Sequence, residues 1–115
     1  MIIACILHDS LEFCEITDSN SNLLKDAIWI DLLYPTAAEE TLVESHIGIG
    51  IPTKDEMVEI ELSSRFYKIK DTLFMTAAVI AQSESEEPKL EPITFLLTET
   101  KLVTIRYIEP QSFKL

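Results

Sequence analysis

The residues with the most chemistry to offer in this sequence are carboxylates. In the stretch IPTKDEMVEIELSS, Asp55 or Glu56 lies three or four residues before Glu59. On a helix that spacing puts the acids on one face. Mg²⁺ takes oxygen ligands, keeps several of its waters and needs one or two acids from a protein. Such a pair can therefore attract a hydrated divalent cation, more strongly if a second chain brings further acids. The same residues also make an ordinary solvated helix face, and the spacing alone does not separate the two readings. Asp31 is the other candidate. It follows Trp29 and Ile30 in a segment of strand character, where it could ligate a metal or catalyse. No second acid, histidine or glycine loop adjoins it in sequence, so a hydrogen-bonded structural aspartate is the simpler reading.

Other chemistries find little support. Two glycines in the whole chain cannot build a phosphate loop or a dinucleotide fingerprint. No serine sits in a G-x-S-x-G elbow, and only His8 and His46 offer imidazole bases. His46 falls on the inner stripe of an expected helix, where packing explains it. His8-Asp9 sits at the end of an expected hairpin, where an Asx-type turn explains the aspartate. Nothing recommends nucleophilic catalysis, and no enzyme is expected. Cys5 and Cys14 make neither a disulfide framework nor a zinc site. A two-residue turn at Asp9-Ser10 would set them directly opposite each other, close enough for oxidation in vitro. With no export signal, reduced thiols are expected.

These residues are carried on a chain of 115 residues, the size of a single domain, with 47% apolar residues and a net charge of −11. Such a balance repels phosphate backbones, so no nucleic-acid partner is expected. No secretory signal is visible. The longest later apolar run, Leu73 to Ala81, is about half the ~20 residues that a membrane-crossing helix needs.

Residues 2–8 and 11–17 read as a hairpin, Ala27–Leu33 as a buried strand, and Leu23–Asp26 as a short lead-in. Thr36 with Glu39, and seventeen residues later Thr53 with Glu56, form two capping-box patterns that each open a helix. Leu42, Val43, His46 and Ile47 give the first helix its inner stripe, and Gly48 a left-handed stop. Met57, Ile60 and Val58 give the second a short apolar face. Arg65–Lys70 and Thr72–Ala81 read as a hairpin turning at Asp71, residues 83–92 as an exposed loop, and Ile93–Thr98 with Lys101–Tyr107 as a third hairpin. Residues 109–113 look like the entry to a further helix, which suggests truncation. The expected fold is α/β (α+β), a mixed and largely antiparallel sheet of about seven strands with helices on its faces. It forms one domain over 1–115.

WIDLLYPTAAEE, IPTKDEMVEIELSSRFY, LFMTAAVI and PITFLLTETKLVTIRYIEP, in this order, resemble the amino-terminal cytoplasmic domain of the CorA family of magnesium and cobalt transporters. The resemblance covers about residues 27–113. It implies a homopentameric parent in the inner or plasma membrane, with a cytoplasmic funnel, a stalk helix and two transmembrane helices per subunit. The Gly-Met-Asn signature of the pore mouth would lie beyond residue 115, so transport is not expected of these residues alone. Membrane contact would come only through helices that the sequence does not contain.

For this domain the resemblance implies sensing. Divalent ions, Mg²⁺ and in some members Co²⁺, sit between neighbouring subunits and hold a closed state. By that alignment Glu56 is the nearest candidate ligand, with Asp55 and Glu59 beside it, and the partner acid would come from the stalk. Two other readings stand beside it: a free-standing α/β ligand-binding or protein-interaction module, and a carboxylate metal hydrolase using Asp31 with the helix acids.

Overall fold

A computed structural model describes residues 1–59, 66–81 and 89–107 of the chain. Its frame is one seven-stranded sheet. β1 (Ile2–Leu7) and β2 (Leu11–Ile16) form a hairpin, followed by a 3-10 turn at Ser21–Asp26 and then β3 (Ala27–Leu33). Two helices come next, α1 (Ala37–Ile47) and α2 (Lys54–Glu59). After them run β4 (Phe66–Ile69), β5 (Thr72–Ala81), β6 (Lys89–Leu97) and β7 (Leu102–Arg106). The spatial order is β2-β1-β3-β7-β6-β5-β4. All neighbours are antiparallel except β3 and β7, which run parallel side by side although both helices and three further strands come between them in the chain. The mixed, largely antiparallel sheet matches the expectation from sequence.

Three details depart from that expectation. Leu7 pairs with Leu11, so the first turn holds three residues, His8 to Ser10, rather than two. The one-residue slip sets Cys5 opposite Phe13 and Ala4 opposite Cys14. Side chains alternate along a strand, so the two cysteines point to opposite faces of the sheet. β6 begins at Lys89, inside the stretch expected to be loop. Pro92 is tolerated there because β7 pairs with β6 only from Ile93 onward, leaving that side of β6 an edge. Val58 is exposed rather than part of the apolar face of α2. Ile60, most of the 83–92 stretch and the proposed helix entry at 109–113 lie outside the described residues.

The core fills the space between one sheet face and the helices. Ile2, Ala4, Ile6, Ile30, Leu32, Val103, Ile105, Leu96 and Phe74 cluster with Val43 of α1, Met57 of α2, and Leu24 and Ile51 from the connections. Gly48 ends α1 with φ +73, a left-handed value that costs other residues strain, and its amide donates to the Glu44 carbonyl at 2.8 Å. Sequence-local signals thus place α2 on the sheet: a cap at each helix start, a glycine stop between the helices, and Met57 as the anchor.

Candidate functional site

Both capping boxes form. At α1 the Glu39 amide donates to Thr36 Oγ1 at 3.2 Å, and the Thr36 amide to Glu39 Oε1 at 3.0 Å. At α2 the Glu56 amide donates to Thr53 Oγ1 at 3.2 Å, and the Thr53 amide to Glu56 Oε1 at 3.0 Å. The second box fixes how the candidate acids stand. One oxygen of Glu56 holds the helix start, while Oε2 takes no part in the box. Asp55 is exposed. Adjacent helix positions are about 100° apart, so Asp55 and Glu56 face different ways. The side chain of Glu59 lies outside what the structure describes.

The surroundings bear out that divergence. Glu56 lines an open cleft of about 520 Å³ with the Gly48–Pro52 connection, Tyr67, Lys70 and Phe74. Tyr67 stacks on Phe74 at 4.9 Å, and its hydroxyl pKa is raised by burial and then by the Glu56 charge. Asp55 instead bears on the Tyr107 hydroxyl through its charge. That hydroxyl donates to Glu40 Oε1 at 3.2 Å and has Lys54 Nζ 5.6 Å from its ring centre. Its pKa is pushed up to about 12 by burial first, then by Glu40, with Asp55 adding to the rise. The two described candidate acids of α2 therefore stand apart, Glu56 at a cleft and Asp55 on the exposed first turn. A carboxylate is an oxygen donor of the kind that a hydrated divalent ion accepts, and each position offers one. Among the described residues no group of three or more His, Cys, Asp or Glu could hold a metal ion by itself.

Asp31 has a different job. It is 5% exposed, and Oδ1 accepts from Thr104 Oγ1 at 2.7 Å. Arg106, 3% exposed, donates from Nε to both carboxylate oxygens at 3.1 Å and from Nη2 to Oδ2 at 2.8 Å. Trp29 Nε1 donates to the same Thr104 hydroxyl at 3.0 Å. The four residues tie β3 to β7 along their parallel pairing, in which Asp31 lies beside Thr104. Both Asp31 oxygens are occupied by donors, which leaves it poorly placed as a base or ligand. Sequence reasoning reached the structural role but missed Arg106, Thr104 and Trp29. The partners are more than 70 positions apart, and only the strand order brings them together.

His8 is exposed in its turn. His46 is half-buried, with Nδ1 donating to the Leu42 carbonyl of its own helix at 3.0 Å. Cys5 is buried and Cys14 partly so, both as free thiols. No helix among the described residues is long and apolar enough to cross a membrane.

No family model matches the chain. It is similar to the magnesium transport protein CorA of Wolinella succinogenes, with 33% identity over 112 residues, covering 94% of this chain and 34% of that protein. The magnesium transport protein CorA of Campylobacter jejuni is 34% identical over 103 residues, covering 83% and 32%. The fold is shared with the complete structure of the CorA magnesium transporter from Methanocaldococcus jannaschii, with a TM-score of 0.63 at 16% identity, covering 94% of this chain and 32% of that one. The soluble domain of CorA from the same organism gives a TM-score of 0.61 at 16% identity, covering 91% and 40%. This chain spans about a third of the length of the curated relatives it matches. An ordered motif set, a mixed sheet with two capped helices, and identity above 30% across nearly the whole chain converge on one conclusion: the chain belongs to the CorA family and has the fold of its soluble domain.

Proposed function

We propose that this chain is the cytoplasmic metal-sensing domain of a CorA-type transporter that moves Mg²⁺, and Co²⁺ in addition, across a membrane. What carries the proposal is the similarity to CorA magnesium transport proteins over 94% of the chain. The acidic first turn of α2 supports it, with Asp55 exposed and one Glu56 oxygen outside the capping box. Glu59 is the third candidate ligand. Each subunit of the parent, a homopentamer in this reading, contributes half a site, and a neighbouring subunit completes it. A divalent ion between two such chains, each with a net charge of −11, relieves their mutual repulsion. Losing the ion shifts the assembly toward a looser arrangement, because the ion has affinity only for the closed one. The mechanism requires no catalytic residue.

The test is an Mg²⁺ titration of the chain, followed by backbone amide shifts. Weak, saturable changes in the millimolar range, centred on residues 53–59, are expected, and Asp55→Asn combined with Glu56→Gln should abolish them. Shifts that appear elsewhere, or that survive the double substitution together with Glu59→Gln, refute the assignment.

A further inference from the structure

We propose that Tyr107 is a positioning residue: its ring seats the Lys54 ammonium, and this keeps Asp55 open to a divalent cation. The proposal rests on the reading of Asp55 as a cation ligand, and it names the group that would otherwise compete there. Lys54 carries the wrong charge for its place in the chain. It is the first residue of α2, where unpaired backbone amides leave partial positive charge. Asp55 and Glu56 follow it directly and offer carboxylates. Yet the ion pairs among the described residues join Met1 to Glu39 and Asp31 to Arg106, and none involves Lys54. Its Nζ lies instead 5.6 Å from the centre of the Tyr107 ring, within the roughly 6 Å over which a ring face attracts a cation.

The seat is fixed from the sheet and from α1. The Tyr107 hydroxyl donates to Glu40 Oε1 at 3.2 Å, and burial with the Glu40 charge pushes its pKa up to about 12. At neutral pH the phenol therefore stays uncharged and goes on donating. Tyr34, just beyond β3, meets the same ring edge-on, with centroids 6.1 Å apart and planes at 83°. Tyr34 has φ +45, a left-handed value that strains a bulky aromatic residue. Its amide donates to the Arg106 carbonyl at 2.9 Å and holds it in that conformation. A strained residue on β3, a hydrogen bond to α1 and the end of β7 thus fix one ring face. The flexible four-carbon stem of Lys54 has only to reach it.

The consequence is competitive. Without the ring, the ammonium of Lys54 is left among Glu40, Asp55 and Glu56, tethered beside them at high effective concentration. Mg²⁺ keeps most of its waters and draws on one or two protein acids, so an ammonium on one of those acids is a serious rival. Seated on Tyr107, the lysine leaves Asp55 exposed and free of an ion pair among the described residues.

The test combines Mg²⁺ titration of the whole chain, followed at the Asp55 amide, with the proton shifts of the Lys54 ε-methylene. Without Mg²⁺ the Tyr107 ring current should move those protons upfield. Tyr107→Phe should keep that shift and Tyr107→Leu should remove it. Tyr107→Leu should also weaken Mg²⁺ binding at least threefold, and adding Lys54→Met should restore the wild-type affinity, because the competitor is gone. Lys54→Met alone, at an exposed position, should bind Mg²⁺ at least as tightly as wild type. An ε-methylene shift indifferent to Tyr107→Leu overturns the proposal, as does weaker binding by Lys54→Met alone. So does a loss of affinity in Tyr107→Leu that Lys54→Met fails to restore, which would make Tyr107 a packing residue only. A wild type with no saturable response at Asp55 refutes the cation reading itself. A wild-type response that Tyr107→Leu leaves unchanged refutes this proposal alone.

Discussion

Replacing Asp31 with asparagine keeps the shape of the side chain and removes its charge. Arg106, 3% exposed, then keeps its guanidinium in the sheet without the carboxylate that accepts three of its contacts. Breaking a buried pair from one side costs about 3–5 kcal/mol, because a buried charge loses its counter-charge. The Thr104 hydroxyl must also find an acceptor other than the carboxylate, a smaller loss of about 1 kcal/mol. A domain of this size has roughly 5–15 kcal/mol of total stability, so the variant stands near the edge of folding. At about 4 °C per kcal/mol, the melting temperature should fall by at least 12 °C. Urea denaturation of the wild type, Asp31→Asn, Arg106→Met and Asp31→Leu with Arg106→Met forms a double-mutant cycle. Each single variant should lose several kcal/mol, while the double variant should recover most of the loss, since an apolar pair of similar volume is tolerated where half of a buried ion pair is not. The reasoning fails if Asp31→Asn costs less than about 1 kcal/mol, or if the double variant is as unstable as the sum of the singles.

Three further outcomes follow from the geometry. Thr53→Ala removes the acceptor for the Glu56 amide at the start of α2 and should cost about 1 kcal/mol in urea unfolding. Tyr107 has a folded pKa raised from 10.0 to about 12, so the folded state holds its proton longer. The stability it contributes is complete below the ordinary value and is lost as pH rises through that window. Unfolding followed across it should show a decline that Tyr107→Phe flattens. Finally, Cys5 and Cys14 lie on opposite sheet faces, so a mild thiol oxidant should give no intramolecular disulfide on a non-reducing gel.

What sequence could disclose here was mostly local. Both capping boxes rest on a three-residue spacing, and both form with the expected reciprocal bonds. Gly48 is legible for the same reason, since a helix stop needs a residue that accepts positive φ. The first hairpin was legible as a hairpin but not in register. Polar residues at 8, 9 and 10 fit a turn of two or three, and one residue more reverses which side chains meet. The first four residues of β6, ahead of the strand expected from Ile93, were hidden by the proline and acid they contain. Pro92 reads as a breaker unless it is known that β7 leaves that end of β6 unpaired. The Asp31–Arg106 pair was out of reach, because it follows from β3 lying beside β7 and no local pattern encodes that adjacency. Of the candidate site, the acids of α2 were legible as a cluster. The placing of Glu56 at a cleft, apart from an exposed Asp55, was not, since it depends on what surrounds the helix.

The capping role of Glu56 decides which substitution can interrogate the proposed cation site. Glu56→Ala removes the cap acceptor and the charge together, so any loss of Mg²⁺ response could come from a frayed α2. Glutamine at the same position still presents a carbonyl oxygen to the Thr53 amide, and the capping box accepts Glu or Gln alike. Glu56→Gln therefore separates the two roles. Without Mg²⁺ it should leave the urea midpoint within about 0.5 kcal/mol of wild type, whereas Glu56→Ala should lower stability by about 1 kcal/mol. With Mg²⁺ both should lose the same part of the amide-shift response, because the cation depends on the charge and not on the cap. If Glu56→Gln keeps the full response while Glu56→Ala loses it, Glu56 acts only by holding the helix start. The cation would then belong to Asp55 and Glu59 alone.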